Sequence, residues 1–349
     1  MVGSASYAGP SGQINITTWR RHPGSALKPF VYAQAIEAGD SPATIALDIH
    51  DVPSDYRVDR LTQPEHGPVR YRDALASSYN LAAVHTLEKV GVERMLTTLR
   101  RAGVGPLEGS AGDYGLRLAL GSAQVRLLDL AAAYGFVARG GRVRRPAGVT
   151  GVTGWSGAAW RPARAHDVRI FSPETSWLVM DMMADPEARR PAFGQELPVD
   201  LPYRVAVKTG TARGFADTVA IGVTSELTVA AWAGTFDGSP TQGLIAMQAA
   251  APLVRAGLLI GSGGRDLTLP GPPGGVTTAV VCPLSGMPAG PDCPHRKREH
   301  FAAGRAPTRS CDWHRHEGGR AVVRYPVEAR AWAAREASRG GREVAAVGP

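Results

Sequence analysis

The chain has 349 residues, 44% hydrophobic and 20% charged, with a formal charge of +8; this is ordinary globular composition with enough chain for one large or two modest domains, and it excludes disorder. The basic residues are scattered arginines without interleaved aromatics, so a nucleic-acid groove is not expected. No stretch approaches the roughly 18 apolar residues of a membrane span, and the opening MVGSASYAGP lacks the charged and apolar regions of a secretory signal.

Residues 1–24 read as a strand end and an irregular polar stretch closing on Arg20-Arg21-His22-Pro23-Gly24. From Ser25 to about Ala38, the spacing of Leu27, Phe30, Val31, Gln34, Ala35 and Ala38 predicts a helix, which Gly39 ends. Residues 40–70 are rich in Pro, Asp and Gly and read as loop. Helical patterns follow at Tyr71–Ala76, Leu81–Val90, Val92–Ala102, Arg126–Ala138 and Pro173–Ala184. Beyond Pro202 the texture changes to β-branched alternation at Arg204–Val207, Thr218–Val223 and Thr228–Ala233, predicting consecutive antiparallel strands. Ile245–Leu259 returns to helix. The expected fold class is α+β: an antiparallel sheet flanked by helices, with an all-helical half. Residues 1–262 would form this domain, 263–276 a Pro/Gly linker, 277–335 a small segment with all three cysteines, and 336–349 a tail.

Only four of the 39 Lys and Arg residues are lysines: Lys28, Lys89, Lys208 and Lys297. A chain that covers its surface with arginine has a reason where it keeps lysine, because an amine can lose its proton when desolvated and a guanidinium effectively cannot. Ser25-Ala26-Leu27-Lys28 places a lysine one helical turn from a serine, which a plain cap-and-surface pair would also do. A serine hydroxyl becomes a nucleophile when a neighbouring base takes its proton. Ser78-Tyr79-Asn80, between two helices, offers a second hydroxyl to relay protons and an amide to hold a carbonyl. Lys208-Thr209-Gly210-Thr211, at a predicted strand end, offers a charge, two hydroxyls for a carboxylate and a glycine that lets a substrate backbone approach. All three motifs in this order arise by chance about once in 10,000 such chains.

The set resembles that of penicillin-binding proteins and class A β-lactamases. Arg21–Phe30 resembles the acylation-site signature of class A (bifunctional) penicillin-binding proteins, and Ala74–Val84 their second motif region. Val207–Thr211 with Trp232–Gly238 and Ala250–Pro252 is most similar to the 1C subtype, as are Cys282–Gly286 and Cys311–His314, so the resemblance covers about residues 1–335. It implies a transpeptidase fold with its N-terminal strands truncated, leaving Thr228–Ala233 as an apolar edge. It implies that Ser25 attacks the carbonyl between the terminal D-alanines of a peptidoglycan stem peptide, with Lys28 as its neutral base and the N–H groups of Ser25 and Thr211 as the oxyanion hole. Ser78 and a charged Lys208 would shuttle protons, Asn80 would orient substrate, and Thr209, Gly210 and Thr211 would bind it. Partners would be stem peptides and β-lactams, the location the periplasm or cell envelope, and no cofactor or metal serves the serine site. No counterpart of the family's glycosyltransferase domain or membrane anchor is recognised.

Other readings share these residues. A β-lactamase needs a deacylating glutamate, for which Glu174, Glu187 and Glu196 are available; a D,D-carboxypeptidase uses water as acceptor; a β-lactam sensor acylates without turnover. For Cys282, Cys293 and Cys311 an oxidising compartment permits a disulfide with one thiol left over. A Cys₃His zinc set with His314 and three free thiols are the alternatives.

Overall fold

The computed structural model describes residues 1–50, 64–161, 167–318 and 320–339. Ser25 lies in a 3₁₀ turn, Gly24–Leu27, and the α-helix proper, α1, spans Lys28–Glu37. The expected single helix is split for a local reason. Pro29 has no N–H to give the Ser25 carbonyl, so that carbonyl takes the Lys28 N–H three residues on, closing a tighter turn.

The segment 40–70, expected as loop, holds a hairpin of β1 (Ile45–Asp48) and β2 (Gly67–Arg70), paired Ile45↔Arg70 to Asp48↔Gly67. Four-residue strands carry too little alternation to read, and residues 51–63 lie outside those described. The helices α2 (Tyr71–Ala76), α3 (Asn80–Val90), α4 (Val92–Arg101), α5 (Leu127–Tyr134) and α6 (Pro173–Met183) follow the expected order. An additional helix, α7 (Pro186–Phe193), is capped by the Asp185 side chain, which accepts from Ala188 N at 3.1 Å.

The sheet contains β3 (Ala206–Thr211), β4 (Asp217–Val223) and β5 (Thr228–Gly234), in the antiparallel order β5-β4-β3. The fold is thus α+β. Helix α8 (Ala246–Ser262) covers one sheet face, where Val205, Val207 and Ala220 meet Met247, Val254 and Leu258. The opposite face gives Ala206, Val219, Ile221 and Val223 to the helical core. The expected first strand, Arg204–Val207, is displaced toward the C-terminus, so Lys208-Thr209-Gly210-Thr211 forms the last four residues of β3 instead of following it. Gly210, read as room for a substrate backbone, sits in the ladder opposite Val219.

The expected linker is docked along the domain. Leu267 and Leu269 are buried, and Trp177 Nε1 donates to Pro270 O at 2.9 Å. Beyond it, β6 (Val276–Val281) pairs with β7 (Lys297–Ala302), β8 (His314–Glu317) pairs with β9 (Arg320–Val323), and α9 spans Val327–Ser338. The expected tail from 336 therefore opens inside a helix, and residues 340–349 lie outside those described. Among the described residues no helix is long and apolar enough to cross a membrane.

One buried carboxylate joins this C-terminal module to the domain. Glu299 of β7, fully buried, accepts from Arg70 Nη1 at 3.1 Å and from Arg72 Nη2 at 2.5 Å. Arg72 also reaches Asp181 at 2.7 Å and Asp185 at 3.1 Å. Removing Glu299 takes the fully buried carboxylate away from both guanidiniums at once, leaving Arg70 with Asp73 and Arg72 with Asp181 and Asp185. Glu299→Ala is expected to destabilise the protein by about 3–5 kcal/mol, read from urea unfolding; a change under about 1 kcal/mol would show that water replaces the carboxylate.

Candidate active site

Ser25 alone among residues 23–33 reaches solvent; its neighbours are all buried. Three close backbone approaches hold its turn. A Cβ on Gly210 would lie 2.0 Å from Pro23 O and 2.9 Å from Ala26 N. A Cβ on Gly24, whose φ is +54°, would lie 2.6 Å from Thr211 O. A Cβ on Gly121, at φ +80°, would lie 2.3 Å from Gly24 O. The Tyr134 hydroxyl, in the core, donates to Ala26 O at 2.5 Å, and Asp217 accepts from His22 N at 3.3 Å and Trp232 Nε1 at 2.9 Å. The close approach at Gly210 is thus made by the chain's own serine turn. Gly210→Ala is expected to lower the acylation rate about 100-fold, the usual consequence of displacing a reacting group by about 1 Å; a rate unchanged beside an intact fold would show that the turn yields freely.

The second motif lies between α2 and α3. Ser78 has φ +63°, a left-handed conformation that is strained for a serine and concentrates at functional sites. This backbone presents its groups to both lysines. Lys28 Nζ donates to Ser78 O at 2.5 Å, Asn80 Oδ1 at 2.6 Å and Tyr79 O at 2.9 Å, and lies 3.5 Å from Ser78 Oγ. Lys208 Nζ donates to Ser78 Oγ at 2.7 Å and Thr209 O at 2.9 Å. The Ser78 hydroxyl therefore stands between two buried amines. The Lys28 bonds run to the second motif, although its spacing from Ser25 was the reason for singling it out.

Burial decides the charge state here. Lys28 is fully enclosed, and loss of hydration brings its amine down from 10.5 to about 7, with Asp48 pulling the other way. Lys208 is pushed well below its ordinary value by burial, then by Lys28 and Arg189. That departs from the expectation of a standing charge on Lys208: its ammonium form needs an anion beside it to offset burial.

Strand parity divides the expected substrate residues. Lys208 and Gly210 face the serine turn and the second motif, whereas Thr209 and Thr211 alternate toward the α8 face. Thr211 Oγ1 accepts from Ala246 N at 3.1 Å at the start of α8. Of the glutamates considered for deacylation, Glu174 abuts Gly275, and Glu187 pairs with Arg190 on the surface.

Sequence reasoning missed Asp48. Its carboxylate, 1% exposed, accepts from Ala82 N at 2.8 Å in the first turn of α3, and lies 2.6 Å from His66 Nδ1. His66 in turn stacks on Tyr79 at 3.7 Å between ring centroids. Asp48 thus fixes the start of the helix that carries Asn80, and its negative charge favours the protonated form of Lys28. It was hidden in the stretch read as loop.

The convergence of a half-buried serine on a pinned turn with two buried lysines, a second half-buried serine and an asparagine defines a serine acyltransferase type of site. Residues 1–248 match the family model of the penicillin-binding protein transpeptidase domain, and the chain belongs to that family. Residues 272–316 match the penicillin-binding protein 1A C-terminal domain. The chain is 34% identical over 285 residues to penicillin-binding protein 1C of Escherichia coli, covering 80% of this chain and 35% of that protein. It is 25% identical to penicillin-binding protein 2D of Bacillus subtilis, covering 89% of this chain and 46% of the other. It therefore spans less than half the length of both relatives. Penicillin-binding protein 1A of Haemophilus influenzae superposes with a TM-score of 0.74 at 21% identity, over 88% of this chain and 52% of that one. Penicillin-binding protein A of M. tuberculosis, solved as an imipenem acyl-enzyme complex, superposes at 0.59 and 20% identity over 72% of this chain and 63% of that one. These two structures share the fold.

Proposed function

We propose that the chain is a peptidoglycan D,D-transpeptidase working through an acyl-serine at Ser25, in the cell envelope. The supporting observation is the hydrogen-bonded set Lys28–Ser78–Lys208 together with a second half-buried serine, Ser25, on a pinned turn. Ser25 Oγ attacks the carbonyl between the two terminal D-alanines of a stem peptide, and neutral Lys28 accepts its proton. The N–H groups of Ser25 and Thr211 hold the oxyanion. The carbon–nitrogen bond breaks, and the departing D-alanine amine receives a proton relayed through Ser78, with Lys208 adjoining. An amine of a second stem peptide then attacks the ester, forming the cross-link and restoring the serine. Lys208 meets the terminal carboxylate, becoming charged as it does so. Thr209 and Thr211 turn their side chains toward α8, so they meet the substrate through the backbone of the strand rather than through their hydroxyls. Asn80 holds Lys28 through its amide oxygen and orients substrate. A β-lactam acylates the same serine, but its opened ring stays attached, so nothing leaves to make room for the acceptor.

The test is product analysis with a D-alanyl-D-alanine stem peptide and an amine acceptor. Cross-linked dimer together with free D-alanine is the expected result. Free D-alanine without dimer would convert the reading to a carboxypeptidase, and a stable β-lactam adduct with neither product would make the chain a sensor.

A further inference from the structure

The three cysteines are unbridged in the structure, which departs from the disulfide expectation. Their arrangement has a different character. Cys282 Sγ, Cys293 Sγ, Cys311 Sγ and a His314 ring nitrogen all lie within 4.8 Å of one another. His314 Nδ1 is 3.5 Å from Cys282 Sγ and 3.5 Å from Cys311 Sγ. With zinc–sulfur bonds of about 2.3 Å and zinc–nitrogen bonds of about 2.0–2.1 Å, a tetrahedron has a nitrogen–sulfur edge of about 3.6 Å. Both measured separations match that edge.

We propose that Cys282, Cys293, Cys311 and His314 form a structural zinc site. The donor set is three thiolates and one imidazole, the soft and borderline ligands that favour Zn²⁺ over Mg²⁺ or Ca²⁺. Cys282 is fully buried, Cys293 is 7% exposed and His314 is 9% exposed, with Cys311 half-buried at the rim. Binding releases the three thiol protons to solvent and leaves one net negative charge on the cluster, with a neutral imidazole. Four protein ligands fill a tetrahedron, so no position remains for substrate and the metal's task is structural.

The backbone is already shaped for it. Cys282 N donates to Met287 O at 2.8 Å, and Gly286, at φ +71°, donates to Cys282 O at 2.9 Å, curling the chain around the first sulfur. Cys311 N donates to Pro288 O at 2.8 Å, which brings the third sulfur beside that loop. The ligands come from the end of β6, the β6–β7 connection, the segment after β7 and the first residue of β8. One ion would therefore tie together four stretches that share little apolar contact. The module's own buried cluster consists of Ala43, Val281 and Phe301, and Ala43 belongs to the larger domain. Modules this small need a cross-link of some kind to hold their shape. Because Glu299 lies on β7, a metal that fixes β7 also fixes the carboxylate that neutralises Arg70 and Arg72 next to α2.

The test uses the full chain purified without chelator. About one zinc per chain by mass spectrometry of the metal is expected, with all three thiols unreactive until a strong chelator removes it. Replacement by Co²⁺ should give the intense visible absorption of a tetrahedral thiolate complex, a readout independent of any variant. His314→Cys should keep the metal and His314→Ala should weaken its binding at least 100-fold, as read by competition with a chromophoric chelator. Three reactive thiols after incubation with Zn²⁺, a disulfide in the unreduced protein, or zinc binding indifferent to His314→Ala would each overturn the proposal.

Discussion

Replacing Ser25 with alanine is expected to reduce covalent capture of a fluorescent penicillin by about 10³-fold or more, the scale on which removing a catalytic nucleophile acts. The structure contains two hydroxyls that compete for this role. Ser78 Oγ lies next to both amines, 2.7 Å from Lys208 Nζ and 3.5 Å from Lys28 Nζ. Both serines are half-buried, and Ser25 lies on a turn whose backbone is locked by Gly24, Gly121 and Gly210. A relay must sit between donors and acceptors, as the Ser78 hydroxyl does between Lys208 and Lys28, which leaves attack to Ser25 on its pinned turn. Because the Ser25 side chain is partly exposed, its loss leaves the core intact, and an unchanged melting curve separates chemistry from folding. Mass spectrometry of the wild-type adduct should place the penicilloyl group on a peptide containing Ser25. An adduct on Ser78, or labelling that survives Ser25→Ala, would reverse the two roles.

The acylation rate is expected to rise with pH around a midpoint of about 7, the value to which burial lowers Lys28. The direction follows from which form is the base. Below the midpoint the amine holds a proton and cannot accept another, so the rate falls by about tenfold per pH unit. Above it the amine is neutral and the rate levels off. Asp48 favours the charged form, so Asp48→Asn is expected to move the midpoint lower. Lys28→Arg should abolish acylation, because a guanidinium stays charged at any working pH. Lys208→Arg should keep a measurable part, since a cation at that place still attracts a carboxylate. A rate flat across neutrality in the wild type, or equal losses in the two variants, would contradict the assignment.

The sheet residues show where sequence reading stops. The β-branched alternation of Thr218–Val223 and Thr228–Ala233 announced two strands correctly, because period 2 is a local property of an extended chain. It did not announce that β3 runs on through Gly210 to Thr211. Gly210 reads as room for a substrate backbone, and the backbone that passes beside it belongs instead to residues 23–26, far away in the chain. Asp48 was invisible for the same kind of reason: nothing around it distinguishes a helix-capping carboxylate from a loop aspartate until α3 is set against it.

By itself the sequence determined the helices other than α7 and α9, two of the three sheet strands, and the identity of three short motifs, since each rests on spacing within one or two turns or a few strand residues. It also explained two of the four lysines, Lys28 and Lys208, as members of those motifs. Only the tertiary structure decided that the Ser78 hydroxyl stands between lysines 50 residues before it and 130 residues after it. Only it brought three cysteines and a histidine from separate segments to within 4.8 Å of one another. Side-chain type and local period are written in the chain directly. Proximity across more than a hundred residues is set by how buried faces pack, and depends on every element that packs at once.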